Sequence, residues 1–300
     1  MRKSRYRSVK NRPREKEYRD WAQHLFDDTL ESLKLDKLRE ICKDNNLPKS
    51  GNKSRLAKRI KDNLTFCTHE FLKNEKTVFI KCYKYDYISE CVRLDNNFYE
   101  WKILDNINDL SLNPGVLVDI GGHVGNHSLF FLMFSSIEKS YIFEPRRDLC
   151  DLIKHNAKLN NLEKNIELNY RGVKAIADRK GKFDFLRKKD FNLGTGKILI
   201  KEKGDVPVDT VDNLFKEISV SVMKIDVEGL EETVLKGAKS TIQRDTPVII
   251  VESNVKSKED SDHTKGLDEI LDRLKPTKYE VFYRDGAIPG PFTYILKPTL

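Results

Sequence analysis

The sequence lacks the long apolar runs and the regularly spaced cysteines of membrane and disulfide-bonded proteins. Its longest apolar stretches, 128–134 and 248–251, fall well short of the roughly 18 residues that a membrane-spanning helix needs. The basic N-terminus has no apolar segment behind it, so we expect that it is not a secretory signal. The five cysteines are odd in number and form no Cys-x-x-Cys pair, and the histidines show no ligand spacing. We therefore expect no disulfide framework and no metal site, and an intracellular protein, cytoplasmic or nuclear.

Acidic residues are missing from the first 14 positions, which carry seven basic residues. Residues 1–64 contain 19 basic and 10 acidic side chains, a net charge of +9, whereas residues 65–300 contain 36 and 37, a net charge of −1. This asymmetry favours an anionic partner for the N-terminal part alone, although a solvated tail would look the same. Residues 1–20 are almost free of apolar side chains, so we predict that they are disordered.

Residues 21–64 change to a helical pattern of apolar side chains. Leu-Pro at 47–48 interrupts the pattern, Ser-Gly-Asn at 50–52 predicts a turn, and a second helix is predicted from 53 to 64. The run Leu-Pro-x-x-Gly-x-Lys at 47–53, between leucines at helical spacing, resembles the SAP domain. That resemblance implies binding to duplex DNA, mostly through its phosphates, and basic residues around a helix N-terminus suit such contacts. The alternative is a helical hairpin that only docks on the next domain. The residues expected to contact DNA are Lys49, Lys53, Arg55, Lys58 and Arg59.

From residue 116 onward, apolar strand patterns alternate with helical patterns. We predict strands at 116–120, 139–143, 166–171, 220–226 and 247–252, helices at 125–135, 146–160, 230–242 and 264–275, a strand pair at 182–201, and antiparallel closing strands at 278–284 and 292–297. This order predicts an α/β fold with a mainly parallel sheet. Ahead of it, the patterns predict strands at 77–83 and 87–94 and a helix at 98–110.

A glycine-rich turn follows the first strand of this alternation. The strand ends in Asp119, and Gly121 and Gly125 lie in the turn that opens the next helix. Glu144 ends the second strand, 19 residues beyond Gly125, where an acid is placed to accept hydrogen bonds from ribose hydroxyls. Turn and acid together predict a nucleotide-type ligand. The alternative is an α/β fold whose glycine turn is only structural.

Three runs resemble the class I methyltransferases that use S-adenosylmethionine, in particular the FkbM family. They are Asp-x-Gly-Gly-His-x-Gly at 119–125, Phe-Glu-Pro at 143–145 and Lys-Ile-Asp-Val-Glu-Gly at 224–229. The family usually has Asn where His123 stands. The resemblance covers about 95–255 and implies a Rossmann-like seven-stranded sheet and methyl transfer from S-adenosylmethionine, typically to a hydroxyl group of a glycan or small molecule. Under it, the expected cofactor contacts are Asp119, Gly121, His123, Gly125, Asn126, Glu144, Arg171 and Val173.

Two acidic residues, Asp226 and Glu228, follow the fourth strand. Open α/β sheets place their active crevice at this end of the strands, and a hydroxyl nucleophile benefits from a base that takes its proton. We predict that one of the two is that base and that the other anchors the cofactor. Alternatively, both only cap the next helix, where carboxylates are favourable. Asn-Leu-Gly at 192–194 is expected either to help form the acceptor pocket or to be an ordinary turn.

These observations divide the chain into a basic disordered tail at 1–20, a SAP-like domain at 21–64 and an FkbM-like methyltransferase domain at 65–300. The first hypothesis is O-methylation of a hydroxylated glycan or small molecule, with separate DNA association. The second is a nucleic-acid methyltransferase acting on a ribose 2′-hydroxyl, with Asp226 and Glu252 in two places of a Lys-Asp-Lys-Glu arrangement. The third is a non-catalytic DNA-binding protein. Base methylation is not expected, because its Pro-Pro-aromatic and Pro-Cys motifs are missing.

Overall fold

The computed structural model describes residues 24, 29–107, 110, 112–168, 175–187, 196–200, 206–227, 229–254, 265–286 and 291–299. These residues divide into two compact units. The first contains 29–69 and 81–94, and the second contains 70–80 and the described residues from 95 onward. The predicted tail at 1–20 lies outside the described residues, and the bounds of the three predicted domains stay predictions. No described helix is long and apolar enough to cross a membrane.

A helical hairpin forms the core of the first unit. A short 3-10 helix, Leu30–Ser32, precedes α1 (Leu35–Asp44), and α2 is Lys53–Leu64. Asn52 caps α2 by accepting a hydrogen bond from the Arg55 backbone N–H at 3.0 Å, as expected of an N-cap asparagine. The buried side chains of the hairpin are Leu30, Leu38, Ile41, Cys42, Leu56, Ala57, Ile60 and Leu64. The predicted helix–turn–helix is thus confirmed, with its second helix at the predicted bounds.

The segment that follows differs from its prediction. β1 (Phe66–Lys73) and β2 (Lys76–Tyr83) pair as a two-stranded sheet, whereas only the second strand was predicted. The predicted strand at 87–94 is wrong, because Tyr87–Asp95 forms helix α3. Asp86 accepts a hydrogen bond from the Ile88 N–H at 3.3 Å, and the buried residues fall at helical spacing, at 88, 89, 91 and 92. The β-branched and aromatic residues of this segment favour a strand locally, and helical packing overrides that preference.

The second unit is built on a seven-stranded sheet whose order is β12-β13-β11-β10-β3-β4-β5. The five central strands from β11 to β5 are parallel, and β13 and β12 add an antiparallel edge. This confirms the predicted fold class and the antiparallel closing strands. The strands are β3 (Gly115–Ile120), β4 (Ile137–Phe143), β5 (Ile166–Leu168), β10 (Val220–Ile225), β11 (Val248–Asn254), β12 (Tyr279–Gly286) and β13 (Pro291–Pro298).

Helices cover the sheet between its strands. They are α4 (Trp101–Ile107), α5 (Asn126–Phe134), α6 (Arg147–Leu159), α7 (Val211–Leu214), α8 (Glu231–Lys236), α9 (Lys239–Asp245) and α10 (Lys265–Leu274). The single helix predicted at 230–242 is wrong, since α8 and α9 are separate. The break falls at Gly237, where a Cβ atom would lie 2.0 Å from the Ala177 carbonyl oxygen, so the backbone of another segment occupies that place.

A second, four-stranded sheet has the order β6-β9-β7-β8. It consists of β6 (Ala175–Ile176), β7 (Gly181–Arg187), β8 (Gly196–Ile200) and β9 (Val206–Asp209). β7 and β8 are antiparallel neighbours, which confirms the strand pair predicted at 182–201.

The main core lies on the central strands of the seven-stranded sheet. Residues 117–120 of β3 and 222–225 of β10 are buried at every position, as in parallel strands covered on both faces. Asp119 and Lys224 are the polar members of these two buried runs, and they are register partners on neighbouring strands. Buried charges must be paired, so these two residues mark the place where a pair of charged groups interrupts the apolar core.

Candidate active site

The candidate site lies at the carboxyl ends of four neighbouring strands. Ile120 of β3 is in register with Phe143 of β4 and Ile225 of β10, and Ile225 is in register with Val251 of β11. The residues that come next, Gly121, Glu144, Asp226 and Glu252, therefore emerge along one edge. The chain order reverses on either side of β3, which is where open α/β sheets bind their ligands.

The glycine turn is shaped by neighbouring backbone. Gly121 has a φ of +87°, and a Cβ atom there would lie 1.8 Å from the Asp226 carbonyl oxygen. Gly125 has a φ of +83° at the start of α5, and His123 between them has a φ of 49°. The sequence predicted that Gly121 lies close to a ligand. In the structure, the backbone after β10 lies close to Gly121, and this contact holds the ends of β3 and β10 together.

Asp119 ties the end of β3 to the start of α5. Its side chain is fully buried, and Oδ2 accepts a hydrogen bond from the Ser128 hydroxyl at 2.6 Å. The Ser128 oxygen is also 2.7 Å from the Ser140 oxygen on β4. A carboxylate in the core thus joins a strand and the helix that follows it.

Glu144 receives a backbone N–H on each of its carboxylate oxygens. His123 donates to Oε2 at 3.0 Å, and Arg146 donates to Oε1 at 2.8 Å. Burial raises the pKa of Glu144 to about 7, against the opposing effects of the Arg146 and His123 donors and the Arg146 charge. Each carboxylate oxygen has a second lone pair, so Glu144 retains acceptor capacity for hydroxyl groups of a ligand.

The Asn126 side chain is engaged with the backbone of Tyr99. Its carbonyl oxygen accepts from the Tyr99 N–H and its amide donates to the Tyr99 carbonyl, both at 3.0 Å. The side chain of Asn126 thus fixes the segment that carries Glu100. The predicted contact of Asn126 with the cofactor stays a prediction.

The Lys224 ammonium lies at the centre of the site, although its residue is only 4% exposed. It donates to the Gly121 carbonyl oxygen at 2.6 Å and lies 3.3 Å from Asp226 Oδ2 and 3.6 Å from Asp119 Oδ1. Burial by itself lowers the pKa of Lys224, but the carboxylates of Asp226, Asp119 and Glu100 outweigh it and raise the pKa above its usual value. The lysine therefore stays charged at neutral pH.

Asp226 is the more open partner of this lysine, with its side chain 35% exposed. Burial tends to raise the pKa of Asp226, but Lys224, His127 and a hydrogen bond with Glu252 outweigh it, so the pKa is lowered. The Lys224 ammonium therefore favours the ionised form of Asp226.

Two further groups complete the surroundings of Asp226. The Glu231 carboxylate accepts the N–H groups of Val227 at 3.3 Å and Gly229 at 3.0 Å, and so shapes the turn that follows Asp226. His127 Nε2 lies 3.1 Å from Glu100 Oε2, and the Thr293 hydroxyl donates to Glu100 Oε1 at 3.0 Å. The described residues contain no group of three or more His, Cys, Asp or Glu that could hold a metal ion.

Sequence reasoning missed several of these residues. Lys224 was quoted only as part of a motif, although a lysine inside an apolar strand run is itself a signal. Glu100, His127 and Thr293 gave no local signal, because they meet only when distant segments fold together. Other predicted site residues, namely Arg171, Val173, Glu228 and the 192–194 loop, lie outside the described residues.

The predicted DNA contacts fall on the turn and second helix of the first unit. Lys49, Lys53, Arg55 and Lys58 are exposed. Arg59 is different, since its guanidinium donates to the carbonyl oxygens of Pro48 at 2.5 Å and Ser50 at 2.9 Å and so holds the turn.

Two family models match the chain. The model described as the methyltransferase FkbM domain matches residues 119–280, and the SAP domain model matches residues 29–65. The search of curated proteins finds no match.

Several solved structures are similar to parts of the chain. The methyltransferase FkbM from Methylobacillus flagellatus KT is 15% identical with a TM-score of 0.42, and the match covers 61% of this chain and 43% of that chain. Trm5b from Pyrococcus abyssi is 14% identical with a TM-score of 0.47, covering 79% and 57%. A putative rRNA methylase from Clostridium thermocellum is 13% identical with a TM-score of 0.41, covering 66% and 94%. The chain thus spans less than half the length of the FkbM structure, and similarities this low do not bear on the substrate.

The FkbM model covers more than half of the chain and includes the glycine turn, Glu144 and the Lys224–Asp226 pair. The protein therefore belongs to the FkbM methyltransferase family and carries a SAP domain ahead of its methyltransferase domain.

Proposed function

We propose that the protein transfers a methyl group from S-adenosylmethionine to a hydroxyl group of a neutral acceptor, a glycan or small molecule, and that its SAP domain binds duplex DNA. The observation that carries this proposal is the partly exposed Asp226 carboxylate. It lies at the carboxyl edge of the sheet, next to the glycine turn, and its charge is supported by the buried Lys224 ammonium.

The residues of the glycine turn and the end of β4 fit the cofactor. Glu144 keeps acceptor capacity on both carboxylate oxygens, which suits the two hydroxyl groups of a ribose. The backbone around Gly121 and His123 would face the methionine end. When bound, S-adenosylmethionine supplies an electrophilic methyl group on a sulfonium, which leaves as a neutral thioether.

The contribution of the protein is to hold the acceptor oxygen in line and to receive its proton. Asp226 is ionised and open to solvent, so an acceptor hydroxyl can donate to it. As the oxygen–carbon bond forms, the oxygen–hydrogen bond breaks and the proton passes to the Asp226 carboxylate. The contact with Glu252 also favours the ionised form of Asp226 before transfer.

The charge of the site favours a neutral acceptor. Among the described residues, the acidic groups Asp226, Glu252 and Glu100 of the cluster are partly exposed, whereas the Lys224 ammonium is buried. Such a surface repels a phosphodiester backbone. This supports methylation of a glycan or small molecule, with DNA held separately by the basic hairpin.

Methylation of a ribose 2′-hydroxyl is the second candidate. The observation that favours it is that Lys224, Asp226 and Glu252 provide three of the four groups of a Lys-Asp-Lys-Glu arrangement. The burial of Lys224 weighs against it, because the ammonium is already used by three protein oxygens and does not reach out to a substrate.

The test is to incubate the full chain and methyl-labelled S-adenosylmethionine with separate pools of glycans, small hydroxylated compounds, RNA, DNA and protein. We expect label in the glycan or small-molecule pool, inhibited by S-adenosylhomocysteine and lost in Asp226→Asn. Asp105→Asn is the matched control, since Asp105 pairs with Lys73 away from the site. Label on RNA ribose would instead support the second candidate, and no label in any pool, without binding of S-adenosylhomocysteine, would contradict methyl transfer.

A further inference from the structure

The Lys224 ammonium joins parts of the site that belong to different segments of the chain. It donates a hydrogen bond to the Gly121 carbonyl in the glycine turn, and it lies within ion-pair distance of Asp119 at the end of β3 and of Asp226 after β10. Gly121 and Asp119 are on the side assigned to the cofactor, and Asp226 is on the side assigned to the acceptor. One buried group thus contacts both sides.

Such an arrangement costs the fold stability unless every charge is compensated. Taking an ammonium and a carboxylate out of water carries a desolvation penalty, which their attraction offsets only when the geometry is good and the remaining polar atoms are satisfied. β10 otherwise buries apolar side chains at these positions. A lysine in the middle of the sheet is therefore poorly explained by packing alone.

We propose that Lys224 is a positioning residue for methyl transfer, which keeps Asp226 as an ionised carboxylate and fixes it to the glycine turn. This inference rests on the proposed function, in which Asp226 receives the proton of the acceptor. The two anchor points keep the separation between cofactor turn and proton acceptor constant while Asp226 remains open to solvent.

The groups around the pair allow this role to be assigned to Lys224 and separated from the others. Asp226 faces Lys224 on β10, His127 on α5, Glu252 on β11 and Glu231 on α8. Lys224 in turn faces Asp119 on β3 and Glu100 ahead of α4. Glu252 and Glu231 are acids, so within this set Lys224 and His127 are the groups able to provide positive charge. Lys224 is the one in direct ion-pair contact with Asp226.

The test is a carbon-13 NMR titration of the side-chain carboxyl groups of the full chain, with the Asp226 signal identified by its loss in Asp226→Asn. In the wild type we expect the Asp226 midpoint to lie below the usual value for aspartate. In Lys224→Met we expect it to rise above that value, and in Lys224→Arg, which keeps the charge, to stay low. Lys139→Met is the matched control, because Lys139 is a half-buried lysine of the same sheet, paired with Glu167, and it should leave the midpoint unchanged.

Calorimetric binding of S-adenosylhomocysteine tests the second contact of Lys224, its hydrogen bond to the Gly121 carbonyl oxygen. Loss of the donor to the Gly121 carbonyl in Lys224→Met is expected to weaken binding about ten-fold, as for other hydrogen bonds to charged groups. Lys139→Met should bind as the wild type does.

The results that would overturn the inference are distinct from failure of methyl transfer. The inference is overturned if the titration midpoint of Asp226 stays low in Lys224→Met. If the midpoint also rises in Glu252→Gln, then Glu252 is the residue that keeps Asp226 ionised. Should Lys224→Met fail to fold, the double variant Lys224→Met/Asp119→Asn leaves one fewer unpaired carboxylate, and a low Asp226 midpoint there would equally refute the inference. The titration needs no acceptor, so it remains interpretable even if no pool is methylated.

Discussion

The SAP hairpin carries its positive charge on exposed side chains, whereas the edge of the seven-stranded sheet holds the Lys224 ammonium inside a buried cluster. In the hairpin, Lys49, Lys53 and Lys58 are open to solvent and have no ion pair among the described residues. At the sheet edge, Lys224 contacts three oxygens and Asp226 is contacted by groups from several elements.

The two kinds of charge should therefore differ in how large an effect their substitution has on binding and stability. An exposed charge interacts through high-dielectric solvent, so each one contributes little and nearly independently. A buried charge whose partner is removed leaves an uncompensated ion, so substitutions in the cluster are expected to be large and not additive. The exposed charges of the hairpin suit a polyanion bound in many registers. The buried cluster at the carboxyl ends of the strands suits a site whose groups keep one fixed geometry.

The largest effect is expected for Asp226→Asn, which keeps the shape of the side chain and removes its negative charge. We expect methyl transfer to fall by about 1,000-fold, within the range for loss of a general base. Affinity for S-adenosylhomocysteine should change by less than about three-fold, since Asp226 is on the acceptor side. Initial rates on the methylated pool measure methyl transfer, and calorimetry measures the affinity for S-adenosylhomocysteine. Equal losses in both would make Asp226 a cofactor anchor.

Gly121→Ala tests how tightly the sheet edge is packed. The added Cβ would lie 1.8 Å from the Asp226 carbonyl oxygen at a φ of +87°, so both overpacking and strain oppose it. We expect a loss of about 4 kcal/mol in the free energy of unfolding, measured in urea. Gly229→Ala has a φ of +102° but open space and should lose only about 1 kcal/mol, and Gly181→Ala, with neither constraint, should lose almost nothing. Equal losses at all three positions would contradict this packing.

Glu144→Gln tests a buried carboxylate that accepts hydrogen bonds from the backbone N–H groups of His123 and Arg146. The pKa of Glu144 is raised to about 7, so the folded state binds its proton more tightly than the unfolded state does. That contribution is fully present below the usual glutamate pKa and is lost as the pH rises through about 7, at most about 3 kcal/mol. Urea unfolding across this range should show a smaller decline in Glu144→Gln than in the wild type. The control Glu167→Gln alters an exposed carboxylate and should keep the wild-type slope.

The smallest effects are expected on the hairpin. Replacing Lys53 or Lys58 by serine should weaken duplex-DNA binding only a few-fold at low salt. The slope of log affinity against log salt should become shallower by about 0.9 for each phosphate that the protein no longer neutralises. Fluorescence anisotropy on a short duplex at several salt concentrations measures both. Lys37→Ser is the control, because Lys37 is exposed on the same domain but paired with Glu40. An unchanged slope in the double variant Lys53→Ser/Lys58→Ser would show that these residues do not bind DNA.

Local patterns were sufficient for much of this architecture. The alternation of apolar strands with amphipathic helices predicts the parallel sheet, because strands buried on both faces need continuous apolar runs. Asp119, the glycine turn and Glu144 could be placed at strand ends from the sequence, because the apolar runs that they follow or end are visible there directly, whereas their roles stay predictions. The SAP hairpin was equally visible, since its turn and cap are made by residues within a few positions of one another.

Other features were decided by contacts between distant segments. The sequence by itself determined the strand ends and the residues placed there, and with them the position of the candidate site. Only the tertiary structure decided that 87–95 is helical, that Gly121 is required by the Asp226 backbone, and that Lys224, Glu252 and the Glu100–His127 pair surround Asp226. The physical reason is that these contacts depend on the order and register of the strands, which bring together residues more than 100 positions apart, and no local pattern encodes that order.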